Sequence, residues 1–281
     1  MKFQNLHTHS TFCDGKSSAS EMLRAALERG FDSLGFSSHA TLPFPCHWAM
    51  KEGVPEQYRA EVLRLKEKYA GQIRVHLGLE QDYYSPEIDA PYEYWIGGVH
   101  YVEKNGKYYS VDHSGEGLVE AANESYGGDV LALAEDYFAL VADTVRKTRC
   151  QILAHLDLIT RYNAGSRFFD MESPRYRRAA LDALDALSHT DVIFEINTSP
   201  YLRGRDEPYP ASFLLREMSA RKLPIVLSTD AHRAELLTMG APEAAELLRD
   251  FGFRELMYWN GKTFEAGPLP DEFERNGGAV C

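Results

Sequence analysis

Short apolar, β-branched runs alternate along the chain with longer segments in which apolar positions recur every three or four residues. The runs fall at residues 3–7, 33–39, 73–80, 94–102, 151–157, 192–198 and 225–232, and their nearly continuous apolar character predicts strands buried on both faces. Between them, residues 18–30, 55–71, 129–148, 173–189 and 208–222 carry helical spacing, most opened by a Ser, Asp or Pro start signal. This alternation predicts an α/β fold with a parallel sheet covered on its outer side, and seven strands over this length suit a closed barrel. No Gly/Ser linker, low-complexity tract or shift of composition divides the sequence, so residues 1–281 read as one domain. Residues 103–128, rich in Gly, Asp and Tyr, are long for a connection and read as a loop that forms a substrate lid.

Composition narrows the partners. A chain of 281 residues at 44% hydrophobic can bury a large core. Its formal net charge of −12 sets it against a nucleic-acid backbone, which points to a small substrate. Cys13, Cys46, Cys150 and Cys281 show no CxxC spacing, and the sequence opens on Met1 and Lys2 without the apolar core of a signal peptide, so a reducing cytoplasm is expected. Nowhere do eighteen apolar residues run together, and no membrane span is expected.

Each apolar run ends in a residue able to bind a metal: His7 and His9, His39, Glu80, His100, His155, Glu195 with Asn197, and Asp230 with His232. In a parallel barrel all these ends face one mouth, where side chains from different strands converge. The period of two places both members of His7-Thr8-His9, and of Asp230-Ala231-His232, on the same side. A lone histidine at a strand end is ordinarily a hydrogen-bonded core residue. Six histidines with Asp14, Glu80 and Asp230 on one rim are costly unless cations satisfy them. His76 lies within a run, His189 closes a helical segment, and His47 and His113 fall in loops, so these four receive no metal role.

The ordered motifs HTHSTFCDG, SSHA, GLE, GGVH, AHLDLI, EINTS and STDAH resemble those of the polymerase and histidinol phosphatase (PHP) superfamily, most closely its histidinol-phosphate phosphatase branch, over residues 6–232. The resemblance implies a distorted (β/α)7 barrel holding three divalent ions. It gives His7, His9, Glu80 and Asp230 to one ion, Glu80, His100 and His155 to a second, and Asp14, His39 and His232 to a third, with Glu80 as the bridge. Many relatives carry a histidine where Asp14 stands, which bears on the identity and occupancy of the third site. Glu80, Asp230 and His232 are on this basis the catalytic candidates.

Mixed imidazole and carboxylate ligands suit Zn, Mn or Fe. Three such ions against Asp14, Glu80 and Asp230 leave about +3, which a phosphate dianion and one hydroxide neutralise. The expected chemistry is in-line attack on phosphorus by a deprotonated water bridging two ions. Arg161 and Arg203 lie on loops leaving the same rim, and a guanidinium fork suits phosphate oxygens. Glu195 is expected to orient a ligand histidine, with Asn197 beside it. Tyr108, Tyr109, Asp112 and the loop after His39 are candidates to hold an imidazole and an ammonium. The reaction expected is L-histidinol phosphate plus water giving L-histidinol and phosphate, in histidine biosynthesis. The alternatives are another small phosphoester or nucleic-acid ends. A closed, purely structural metal site is disfavoured because nine ligands for three ions leave positions open.

Overall fold

The computed structural model describes residues 3–270. Along the chain run β1 (Gln4–Asn5), α1 (Ala19–Glu28), β2 (Ser33–Phe36), α2 (Val54–Lys68), β3 (Arg74–Asp82) and β4 (Tyr94–Gly98). A hairpin of β5 (Tyr101–Lys104) and β6 (Lys107–Ser110) follows, then α3 (Gly115–Ser125), α4 (Val130–Thr148), β7 (Ile152–Leu153), α5 (Pro174–Ser188), β8 (Ile193–Asn197), α6 (Ser212–Ala220) and β9 (Ile225–Ser228). The chain continues through α7 (Ala241–Asp250) and a second hairpin, β10 (Glu255–Trp259) with β11 (Phe264–Pro268).

Seven strands form one sheet in the order β1-β2-β3-β4-β7-β8-β9, every neighbouring pair parallel. Just past the ends of β1 and β9, Thr8 pairs with Ala231 in parallel, so the sheet curls into a nearly closed barrel. The expected parallel barrel is therefore the fold. Both faces of its strands are covered. Leu34, Phe36, Val75, Leu77 and Leu79 belong to the outer core with Met22 and Leu23 of α1 and Tyr58, Val62 and Leu65 of α2.

The interior changes character along its axis. Leu6, Tyr94, Ile96, Ile152, Ala154, Ile193 and Val226 form a separate apolar cluster with Trp259. The Gln4 amide donates to the Trp259 carbonyl at 2.9 Å, and Trp259 N–H returns a bond to Gln4 Oε1 at 2.7 Å, tying the second hairpin to β1. Advancing by steps of two toward the C-terminal ends gives Ile193, Glu195, Asn197 and Val226, Ser228, Asp230. An apolar floor thus gives way to a polar mouth.

Tyr94 fills the floor and donates its hydroxyl hydrogen to the Leu6 carbonyl. A Cβ on Gly35 or on Gly78 would approach the Tyr94 side chain to 2.2 Å, so both glycines are there for room. Gly78→Ala is expected to cost about 1–3 kcal/mol of stability through overpacking, read as a lowered urea midpoint with unchanged slope. An unchanged midpoint would contradict this packing account.

Two sequence expectations are corrected. Residues 103–128 are not an open loop: they hold most of the first hairpin and all of α3. Asn105 and Gly106, with φ of 55° and 78°, make the tight turn, and the Ser114 hydroxyl caps α3 by accepting from Gly117 N–H. The helix expected from 208 begins only at Ser212, because Pro208 and Pro210 keep the preceding segment extended, where Tyr209 bridges Asn197. Beyond residue 232 lie α7 and the second hairpin. Cys13, Cys46 and Cys150 are free thiols, and Cys281 lies outside the described residues. Among the described residues no helix is long and apolar enough to cross a membrane.

Candidate metal centre

Glu80, at the mouth end of β3 and 1% exposed, is the hub. Its Oε2 lies 3.1 Å from His7 Nε2, 3.4 Å from His9 Nε2 and 2.8 Å from His39 Nδ1. Its Oε1 lies 3.2 Å from His155 Nε2 and 3.5 Å from His100 Nε2. Asp230 Oδ1 closes the opposite side, 3.0 Å from His9 Nε2 and 3.5 Å from His7 Nε2. Asp14 Oδ1 stands 3.3 Å from His232 Nε2 and 3.8 Å from His39 Nε2. All nine residues that the strand ends and the first turn singled out are brought together.

Local backbone explains the convergence. Just past β1, Thr8 still pairs in parallel with Ala231, so His7 and His9, two residues apart, share a side and both reach the centre. Past β9 the chain turns sharply, with Asp230 at φ 53°, a left-handed conformation that aspartate tolerates better than most residues. His155, just past β7, also has positive φ.

Burial would push the Glu80 carboxyl up, yet His39, His7 and the other imidazoles hold it well below the usual range. Asp230 behaves alike, with His7 and His9 outweighing its burial. Burial lowers the affinity of the imidazoles for a proton; at His9 burial and the neighbouring His232 prevail, whereas at His7 and His100 the carboxylates reverse the effect. Glu195, Glu80 and Asp230 carry His7 well above its ordinary value, and Asp82 and Glu80 raise His100 to about 9. Groups so placed attract cations.

The donor atoms fit a divalent metal. His7 Nε2, His9 Nε2, Asp14 Oδ1, Glu80 Oε2 and Asp230 Oδ1 are all buried without a hydrogen-bond partner. Three sets have ligand atoms mutually within 4.8 Å: His9, Asp14, His39 and His232; His7, His9 and Asp230; His39, Glu80 and His100. These sets differ in detail from the allotment the resemblance implied. His39 presents one ring nitrogen to Glu80 and the other toward Asp14, so it stands between two sites, and His155 meets the centre through Glu80.

A second ring of residues holds the ligands. Glu195 accepts from His7 Nδ1–H at 2.6 Å and from the His155 backbone N–H at 2.9 Å, and it also accepts from Asn197 and from Ser228 Oγ. Asp82 accepts from the His100 backbone and ring nitrogens at 2.9 and 3.0 Å. The His232 ring meets the Asp230 carbonyl at 2.8 Å. Such partners fix ring orientation and raise ligand basicity, so Glu195→Gln is expected to weaken metal binding about 10- to 100-fold. Chelator competition measures this, and wild-type affinity in the variant would remove Glu195 from the support of the site.

A cavity of about 410 Å³ opens on the centre, lined by Asp14, His39, His100, His155, Asp230 and His232 on the metal side. Its other walls include Trp48, Tyr101, Asp112, Arg161 and Tyr162, with His47 and His113. Arg161 reaches in with its buried Nε unpartnered, held by one contact from Nη1 to Asp112 Oδ2 at 3.3 Å. Arg203 is exposed and lies over the Tyr162 ring at 5.1 Å, outside the cavity lining.

Of the lid candidates, Asp112 lines the cavity, whereas the Tyr108 ring stacks on Phe44 and the Tyr109 hydroxyl meets Glu124 and Ser125. Trp48 was not singled out from the sequence. Its ring lies tilted 4.4 Å from that of His39 and 4.9 Å from that of His100, forming the cavity wall beside these ligand candidates. His47 and His113 sit at that wall too, consistent with the loop placement read from the sequence.

The family model described as the PHP domain matches residues 5–199. A protein of Deinococcus radiodurans named probable histidinol-phosphatase is 30% identical over 269 residues, spanning 91% of this chain and 96% of its own. The histidinol-phosphatase of Bacillus subtilis is 25% identical, spanning 83% of this chain and 95% of its own. A crystal structure of histidinol phosphate phosphatase from Lactococcus lactis, complexed with zinc, L-histidinol and phosphate, shares the fold with a TM-score of 0.71 at 23% identity, covering 94% of this chain and 99% of that one.

Proposed function

The chain belongs to the PHP domain family, and from that premise we propose that it is a metal-dependent phosphomonoesterase hydrolysing L-histidinol phosphate to L-histidinol and phosphate. The observation that carries the reading is the set of buried, unpartnered donor atoms on His7, His9, Asp14, Glu80 and Asp230 opening onto a cavity that also contains Arg161. The name shared by its relatives supplies the substrate.

Divalent ions such as zinc, manganese or iron, up to three of them, would be held by the donors of His7, His9 and Asp230, of His39, Glu80 and His100, and of Asp14, His39 and His232, with His155 reaching the centre beside Glu80. Bound there, they supply Lewis-acid charge for phosphoryl oxygens and lower the pKa of coordinated water. The chain does the rest. Arg161 offers its unpartnered Nε and a second N–H to phosphate oxygens, a bidentate fork that fixes the ester's orientation. Trp48 and Tyr101 wall the cavity and exclude bulk water from the reacting centre. Asp112 is placed to meet a cationic group on the alcohol half. Arg203, stacked on Tyr162, adds positive potential from the rim.

A metal-replete preparation is expected to hydrolyse L-histidinol phosphate with a kcat/KM about 10²-fold or more above that for p-nitrophenyl phosphate, because contacts to the remote cationic groups position the ester. Equal efficiency on the two esters would remove L-histidinol phosphate as the natural substrate, and preference for a dinucleotide would favour a nuclease.

A further inference from the structure

Three of the ligand histidines have a partner on the ring nitrogen turned away from the centre. His7 Nδ1 meets Glu195 at 2.6 Å, His100 Nδ1 meets Asp82 at 3.0 Å and His232 Nδ1 meets the Asp230 carbonyl at 2.8 Å. For His9 the partner is of another kind: its Nδ1 lies 3.5 Å from the sulfur of Cys13. We propose that Cys13 is a positioning residue for His9, its sulfur accepting the Nδ1 hydrogen and so holding the imidazole in the tautomer whose Nε2 lone pair faces the metal site.

Of the two hydrogen arrangements open to this pair, thiol to ring or ring to sulfur, only the second leaves Nε2 free for a metal. The thiol carries a single hydrogen, and Sγ is placed to donate it to the Ser10 carbonyl at 3.5 Å. The sulfur lone pairs then face His9, so the ring must be the donor at Nδ1. A neutral imidazole protonated at Nδ1 has its lone pair on Nε2. His9 Nε2 is the buried, unpartnered atom 3.0 Å from Asp230 Oδ1 and 3.4 Å from Glu80 Oε2.

The turn that carries Cys13 is built to hold this contact. Cys13 N–H donates to the Ser10 carbonyl at 3.0 Å, Thr11 N–H to the Ser17 carbonyl at 3.1 Å, and Lys16 N–H to the His232 carbonyl at 2.7 Å. A Cβ on Gly15 would come within 2.5 Å of Ser10 N, so glycine there lets the turn close on the residue whose carbonyl anchors the thiol. The same turn presents Asp14 to His232. One short segment thus delivers a ligand and tethers another.

The inference rests on the metal centre and not on the identity of the substrate, so metal affinity tests it without turnover. Zinc binding is measured by chelator competition on Cys13→Ala and Cys13→Ser, together with ¹⁵N NMR of the histidine rings in the zinc-loaded wild-type protein. Cys13→Ala is expected to weaken one zinc site about 10- to 100-fold. Cys13→Ser, which keeps an acceptor, is expected to stay within about fivefold of wild type. His9 is expected to show a protonated Nδ1. Wild-type affinity in Cys13→Ala, equal losses in both variants, or a His9 Nδ1 without a proton would each overturn the proposal. Should Cys13→Ala fail to fold, the wild-type ring spectrum decides. Loss of phosphate release from L-histidinol phosphate with intact zinc affinity would count against the proposed reaction, not against this contact.

Discussion

Glu80→Gln is expected to lower kcat by about 10³-fold or more, roughly 4 kcal/mol in the barrier, and to strip metal from the protein. Both oxygens of Glu80 are in use: Oε2 faces His7, His9 and His39, and Oε1 faces His100 and His155. The amide of Gln keeps one acceptor oxygen and replaces the other with a donor NH₂ group, which carries no charge and has no lone pair for a cation. Glu80 is 1% exposed, so bulk water does not reach its carboxyl to compensate the lost charge. Elemental analysis and phosphate release on the same preparation read the two effects together. Wild-type metal content with wild-type turnover would show that Glu80 is not the hub of the centre.

Arg161→Ala is expected to reduce kcat/KM for L-histidinol phosphate about 10²-fold, near 2.7 kcal/mol, with metal content unchanged. The guanidinium lies on the cavity wall, with an unpartnered Nε and a single contact to Asp112. An arginine that meets the phosphate in ground and transition states alike acts mainly through KM, with a smaller loss in kcat if the fork tightens in the transition state. Arg203→Ala should cost less, within about fivefold, the scale of an exposed cation-aromatic contact, because Arg203 lies outside the cavity and over Tyr162. Wild-type kinetics in Arg161→Ala would leave phosphate recognition to the ions alone. A loss in Arg203→Ala as large as that in Arg161→Ala would mean that the rim arginine reaches the phosphate.

The two arginines mark where sequence reading stops. Each lies six residues beyond a strand-end residue, His155 or Asn197, and nothing in the spacing separates them. The backbone does. Arg161 follows a 3₁₀ turn, Leu158–Thr160, that delivers it to the cavity, whereas Arg203 ends a different turn, Ser199–Arg203, that runs out to the surface.

The convergence of the candidate ligands was legible because each motif is local to one strand end, and parallel pairing then brings all the ends to one mouth. The Trp48 wall was not, because the segment between His39 and α2 has no period to read and its path is set by packing on His39, His100 and Tyr101. The β5–β6 hairpin did carry a signal in Asn105-Gly106. The surrounding run of polar and aromatic residues lacks a clean alternation and hid it. Nor does the allotment of ligands to ions follow from order in the chain, since one imidazole, His39, serves two neighbours through its two nitrogens.

The central claim is that the rim around Glu80 holds divalent metal and that hydrolysis of L-histidinol phosphate depends on it. Phosphate release from L-histidinol phosphate, followed while zinc, manganese or iron is titrated into the chelated protein, tests this most directly. The account predicts no measurable release from the metal-free chain and recovery that saturates at two to three ions per chain, roughly the number the nine ligands can hold. Full turnover by the metal-free protein would contradict it.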